Sequence, residues 1–191
     1  MRGIIEGCIV ILIATLMLAA MPTDAEARIY EDTIRLHILA ESDSSEDQTI
    51  KLIIRDRLLE KYGDMLSKCK SKDEAEAAMR GLTDSIRNDV RVWLRELGCE
   101  ADAEITLTYE QYGRREYGDY TLPSGEYLSL RVIIGKGEGQ NWWCVMYPPL
   151  CLDVALGDTV GYSSEEKSLI RTEKYNVKLK ILEICSEVFK K

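Results

Sequence analysis

The chain has 191 residues, 46% of them apolar, and a formal net charge of -8 at pH 7. This length and apolar fraction suit one domain with a single sizeable core. The negative charge argues against binding to nucleic acids or anionic membranes through surface charge.

The first segment is similar to a secretory signal peptide. Arg2 precedes an unbroken apolar run over residues 8–21, and a small-x-small pattern ends at Ala27. The run has the length of a signal-peptide core rather than the roughly 20 residues of a membrane span. We therefore predict cleavage near Ala27.

This prediction divides the chain into a signal peptide, residues 1–27, and a single exported domain, residues 28–191. Glu6 weakens the positive charge at the start of the signal. An uncleaved signal anchor, which would make the protein an anchored structural domain, stays open as an alternative.

Export would place the cysteines where disulfides form. After loss of Cys8, five remain: Cys69, Cys99, Cys144, Cys151 and Cys185. Cys144 and Cys151 are the best candidate pair, because Pro148 and Pro149 bend the chain between them, and so short a loop is worth about 2 to 3 kcal/mol. Alternatively, all five are buried thiols that act as small hydrophobic residues.

The first predicted elements are a strand and a helix. Residues 33–40 alternate apolar and polar side chains, which predicts a half-buried strand that carries His37. Hydroxyl and acidic residues follow, and Ser45 and Gln48 have the spacing of a capping box. We expect a helix to begin at Ser45.

Two long amphipathic helices are predicted in succession. In the first, apolar residues recur at three- and four-residue steps as far as Leu66. The second runs from about Lys72 to Leu97, where Gly98 supplies a left-handed cap. Cys69 and Cys99 would then lie a helix length apart, so we expect them not to pair.

The remaining elements predict an α+β domain. Residues 103–109, 127–134 and 142–147 have strand composition, with turn residues at 122–125, and a third, C-terminal helix is predicted from 163 onward. The later strands can form a meander with the first. The order β-α-α-β-β-β-α predicts two layers, with the two long helices on one face of a largely antiparallel sheet.

Three alternating glycines, Gly135, Gly137 and Gly139, lie just before Trp142 and Trp143. A phosphate loop needs a helix directly after its glycines, and tryptophans and prolines follow here instead. The segment is therefore interpreted as a tight turn. In a strand the adjacent tryptophans face opposite ways, so one of them is a candidate anchor for a binding partner.

The sequence supplies little for catalysis or for binding a metal. His37 is the only histidine, which excludes zinc sites that need two or more. Asp43 and its acidic neighbours lack the glycine and distal glutamate of a calcium loop, so helix capping explains them better. No metal or other cofactor is predicted. A Cys-His dyad of Cys144 or Cys151 with His37 remains the chemical alternative, that of a secreted cysteine-dependent hydrolase.

Two segments resemble the stage II sporulation protein R family. They are residues 35–48 (RLHILAESDSSEDQ) and residues 117–151, which end in NWWCVMYPPLC. The likeness extends from about Thr33 to Leu152 and also includes the signal segment. At Tyr112-Gly113 the chain departs from the Phe-Pro that the family would show.

The resemblance implies a secreted signal rather than an enzyme. Members are exported from the forespore into the space between the two cells, where they activate a membrane-embedded aspartyl protease. That protease processes the precursor of mother-cell sigma factor E. The family brings no catalytic residues. From their chemistry, we predict Asn141, Trp142, Trp143 and Tyr147 as partner contacts.

Overall fold

The computed structural model describes residues 2–20, 24–117, 120–148 and 170. It begins with helix α1, Arg2–Ala20, followed by helix α2, Asp24–Glu31. Apolar side chains of α1 such as Ile4 and Met17 are exposed. Within the described ranges, no helix is both long and apolar enough to cross a membrane.

The other described elements confirm the α+β fold class. They are β1 Ile34–Leu39, α3 Ser45–Leu58, a π-helical turn Leu59–Gly63, α4 Asp64–Leu66, α5 Lys72–Glu96, β2 Ala103–Tyr112, β3 Arg115–Tyr117, β4 Tyr120–Leu122, β5 Gly125–Ile134 and β6 Asn141–Tyr147. The small β3–β4 hairpin was not predicted from the sequence. The helix predicted from residue 163 onward lies outside the described residues.

The main sheet has the strand order β2-β5-β1-β6. β1 pairs in parallel with β5 and antiparallel with β6, and β2 is antiparallel to β5. The predicted meander is wrong, because β1 lies between β5 and β6. The prediction that β1 is half-buried is wrong for the same reason: its residues from Ile34 to Ile38 are all buried, as befits a central strand covered on both faces.

Helices α3 and α5 cover the first face of this sheet, as predicted. Ile54 and Leu58 of α3 and Met79 and Ile86 of α5 are buried there against strand residues such as Leu36. The three- and four-residue spacing of these apolar side chains explains why each helix presents one stripe to the sheet. This layer forms the larger hydrophobic core.

The helix ends follow capping chemistry with one correction. The N-cap of α3 is Ser44, not Ser45, because the Ser44 hydroxyl accepts a hydrogen bond from the Asp47 N–H at 3.1 Å. Gln48 does not complete a capping box; its amide donates to the Ser42 carbonyl at 2.9 Å. Gly98 adopts a positive φ of 73° after α5, as predicted.

The glycine-rich turn before β6 packs on the loop that follows β1. The Gly139 N–H donates to the Ala40 carbonyl at 3.0 Å, and the Gln140 N–H donates to the Asp43 carboxylate at 2.7 Å. Buried Lys51 donates to the Gln140 carbonyl at 2.8 Å, and burial lowers the pKa of Lys51. Asp43 therefore binds this turn, so helix capping is not the role of every acid in its loop.

A second, smaller core lies on the opposite face of the sheet. α2 contributes Ile29, the β3–β4 hairpin contributes Leu122, and the sheet contributes Tyr127 and Val145. Ile170 is buried in the same cluster. The sheet is thus covered in part on its second face too, and the cleavage point predicted near Ala27 falls within α2.

Candidate functional site

A polar and aromatic cluster occupies the second face of the sheet near the start of β6. His37 Nδ1 lies 3.1 and 3.2 Å from the two carboxylate oxygens of Glu110, and Nε2 lies 2.8 Å from Asn141 Oδ1. The imidazole stacks on Trp143, with ring centroids 3.7 Å apart and planes 17° apart. We call these four residues the His37–Trp143 cluster.

Three strands build this cluster. His37 in β1 pairs directly with Trp143 in β6, and Asn141 precedes Trp143 by two positions, so the alternation of a strand brings both to the same face. Glu110 reaches His37 from β2, across β5. His37 is 5% exposed, whereas Asn141 is exposed, so the cluster meets solvent through the amide.

Both ring nitrogens of His37 have a polar partner. Nδ1 faces the Glu110 carboxylate and Nε2 faces the Asn141 side-chain oxygen. Together with the stacking on Trp143, these contacts hold the imidazole in one orientation.

The Glu110 carboxyl is held in its charged form. Burial alone would raise the pKa of Glu110, but hydrogen bonds from His37 and Ser129, and the charges of His37 and Arg131, hold that pKa below its ordinary value of 4.5. Arg131 Nε lies 3.5 Å from Glu110 Oε1. The cluster is therefore a buried network whose acidic member favours folding when ionised.

We expect Glu110→Gln to reduce the acid sensitivity of the fold. Because the pKa of Glu110 is lowered in the folded state, its contribution to the free energy of unfolding is present above pH 4.5 and is lost as pH falls below that value. Urea unfolding between pH 7 and pH 3 should show a smaller loss of stability in Glu110→Gln than in the wild type. Glu126→Gln, at an exposed strand position, should lose as much stability between pH 7 and pH 3 as the wild type does. An equal loss of stability in all three chains would contradict this role of Glu110.

The two tryptophans lie on opposite faces of β6, as the alternation predicts. Trp143 carries His37 on its ring, has the edge of Tyr112 at a centroid distance of 4.9 Å, and has the Arg115 guanidinium 5.3 Å from its centroid. Trp142 packs on the larger core, with the Arg55 guanidinium 4.4 Å from its ring centroid. Only Trp143 belongs to the His37–Trp143 cluster.

Tyr147 lies apart from that cluster. It is 4% exposed, and its hydroxyl donates to the Cys69 carbonyl at 3.4 Å. Of the four predicted contact residues, the structure brings together Asn141 and Trp143. Trp142 and Tyr147 pack on the larger core instead. That any of the four contacts a partner stays a prediction.

Arg35 is the largest fully buried side chain of the described residues. Its guanidinium lies 4.2 Å from the ring centroid of Tyr112, 5.0 Å from that of Tyr127 and 5.3 Å from that of Tyr117. Nε donates to the Cys144 carbonyl at 3.1 Å and Nη2 donates to the Tyr117 hydroxyl, while Nη1 has no hydrogen-bond partner among the described residues. Sequence reasoning missed this cage, although a charged residue in a strand with apolar neighbours was a signal for it.

Among the described residues, Cys144 does not form a nucleophilic site with His37. Cys144 is buried in the core on the first face, whereas His37 lies on the second face. Cys144 is disulfide-bonded. Cys151 lies outside the described residues, so its predicted pairing with Cys144 stays a prediction. Cys69 and Cys99 are free thiols. In the described part of the chain, no group of three or more acidic, histidine or cysteine side chains is arranged to hold a metal ion.

Comparison with known proteins places these residues in a family. The sequence model of the family described as stage II sporulation protein R matches residues 30–155. The chain belongs to this family. It is 33% identical over 148 residues to stage II sporulation protein R of Bacillus subtilis strain 168. The alignment spans 76% of this chain and 66% of that protein, just under two thirds of its length. No solved structure matches the chain.

The match to the sporulation protein R family includes the candidate site. Residues 30–155 contain Arg35, the whole His37–Trp143 cluster and the glycine-rich turn. Helix α1 and most of α2 precede the matched range. The family therefore supports a role in sporulation for the domain that carries the site.

Proposed function

We propose that this protein is an exported signal of sporulation that activates a membrane-embedded aspartyl protease. The protease then processes the precursor of mother-cell sigma factor E. Family membership supports the link to sporulation, and the signal-like residues 1–27 support export across the forespore membrane into the intermembrane space. An uncleaved signal would leave the protein anchored there.

The observation that carries a signalling role is the construction of the His37–Trp143 cluster. Trp143 is held by the stacked imidazole of His37 and by a T-shaped contact with Tyr112, and the Asn141 side-chain oxygen lies 2.8 Å from His37 Nε2. Rigid aromatic and amide groups of this kind lose little conformational entropy on binding. We assign Asn141 and Trp143 to the surface that contacts the protease, with no substrate or cofactor bound.

The proposal makes a prediction for Asn141→Ala. The substitution should lower processing of the sigma-factor precursor several-fold in cells that express the protease, because it removes the exposed amide that would contact the partner. Asn88→Ala, at an exposed position on α5, should process as the wild type does. Precursor and product are followed by immunoblot, with the level of each variant measured in the same samples.

Two outcomes would count against this assignment. Full processing by Asn141→Ala at wild-type abundance removes Asn141 from the contact surface. Processing that is unaffected by deletion of the whole chain removes the signalling role itself.

A further inference from the structure

The outer edge of β2 has no neighbouring strand among the described residues. β2 pairs only with β5 among the described strands, and Thr108, Tyr109 and Gln111 are exposed. Tyr109 is 54% exposed. Outside α1, Tyr109 and Val92 are the only exposed large apolar side chains in the described part of the chain. An edge of this kind presents backbone groups that can pair with another strand.

The hydrogen-bond phase of β2 identifies which backbone groups face outward. The Gly135 N–H donates to the Asp102 carbonyl, and Ala103 lies opposite Ile134. Because bonding alternates along an antiparallel ladder, the N–H and C=O groups of Leu107, Tyr109 and Gln111 point away from β5. Arg87 confirms this phase, since its Nη2 donates to the outward Ile105 carbonyl at 3.2 Å.

Two charged side chains from α5 lie at this edge: Arg87 binds the Ile105 carbonyl, and the Lys72 ammonium lies 5.8 Å from the Tyr109 ring centroid. Within β2 itself, the devices that block edge pairing are absent. β2 contains no proline and no lysine, and its pairing with β5 continues over ten residues without a bulge. Its acidic residue nearest the exposed stretch, Glu110, is turned toward His37. On the other edge of the sheet, by contrast, the β1–β6 pairing contains a register shift.

We propose that β2 pairs antiparallel with β2 of a second copy of this chain, with Thr108 on the twofold axis. In this register, Leu107 lies opposite Tyr109 of the second copy. The outward N–H and C=O groups of these two residues form hydrogen bonds with each other, and the twofold axis repeats the pair. Leu–Tyr pairs bring apolar side chains together on one face, and a Thr–Thr pair, a favourable cross-strand combination, forms on the other. A register with Glu110 on the twofold axis would place two like charges opposite each other. A register with Tyr109 on the axis would place Leu107 opposite Gln111. The surface is thus complementary to itself.

The experiment is disulfide cross-linking of the full chain in cells that produce it. Thr108 of one copy would face Thr108 of the other at a non-hydrogen-bonded position, with a Cα–Cα distance of about 4.5 Å, within the range that a disulfide spans. Thr108→Cys should give a covalent dimer on a non-reducing gel. Thr49→Cys, the same substitution at an exposed helical position, and the unsubstituted chain should give much less.

A second substitution tests the strand edge itself. Adding Tyr109→Lys to Thr108→Cys should lower the amount of dimer several-fold, because a lysine would place a charge opposite the apolar Leu107 of the second copy. Adding Tyr109→Phe should preserve the dimer. The proposal fails if Thr108→Cys cross-links no more than Thr49→Cys. It also fails if the cross-linked species contains a different protein, which would make β2 the edge for another partner. These results do not depend on protease activation.

Discussion

Gly139→Ala is expected to destabilise the domain strongly. A Cβ atom at this position would lie 2.2 Å from the Ser42 carbonyl oxygen and 3.0 Å from the Ala40 Cβ. The nearest of these is a backbone atom, so a rotamer change cannot relieve the clash. Overpacking costs about 1 to 3 kcal/mol and occasionally more. Urea denaturation of the full chain, followed by circular dichroism, measures the change.

Gly113→Ala is the matched control for this experiment. A Cβ added at Gly113 would have no atom of the described residues within 4 Å, and Gly113 lacks a positive φ, so the stability of the Gly113→Ala chain should be close to that of the wild type. A Gly139→Ala chain that unfolds at the wild-type urea concentration would show that the turn before β6 can move away from the loop after β1. Close packing of this turn on the loop after β1 would then not be needed for stability.

Arg35→Ala is the second substitution with a large expected effect. It removes a fully buried side chain, leaves a cavity among three tyrosine rings, and deprives the Cys144 carbonyl and the Tyr117 hydroxyl of their donor. Large-to-small core substitutions and unpaired buried polar groups together suggest a loss of about 2 to 4 kcal/mol. Thermal or urea unfolding tests this expectation.

Arg35→Met separates volume from charge in the same cage. Methionine fills most of the space and removes a cation for which the structure shows no carboxylate partner among the described residues. We expect Arg35→Met to lose less than half as much stability as Arg35→Ala. Equal losses would mean that the hydrogen bonds and ring contacts of the guanidinium, rather than its volume, support the second core.

The sequence predicted local structure better than strand order. Apolar spacing and capping residues located the start of α3, and both ends of α5, β1, β5 and β6, to within a few residues, because these signals act over short stretches of sequence. They did not predict that α3 ends at Leu58, where a π-helical turn and α4 continue to Leu66. Neighbouring strands are chosen by packing across the whole domain, which alternation does not encode. The central place of β1 was hidden by Arg35 and His37, whose polar side chains resemble those of a solvent-facing strand.

The candidate site was predictable only in part. Asn141 and Trp143 stood out by composition, and the opposite orientation of Trp142 followed from strand alternation. Glu110, the partner of His37, lies 73 residues away along the chain and forms its contact from a strand two places over in the sheet. No local pattern in the sequence links the two residues.

The central position of β1 determines when the domain can form. β1 is made early, yet Leu36 pairs with Leu130 in β5 and with Cys144 in β6, so both neighbours arrive only after about a hundred further residues. Contacts so distant in sequence slow folding, because closing the loop costs chain entropy before any pairing is gained. A chain that stops before Tyr147 therefore lacks a complete sheet, and folding is coupled to completion of the chain through β6.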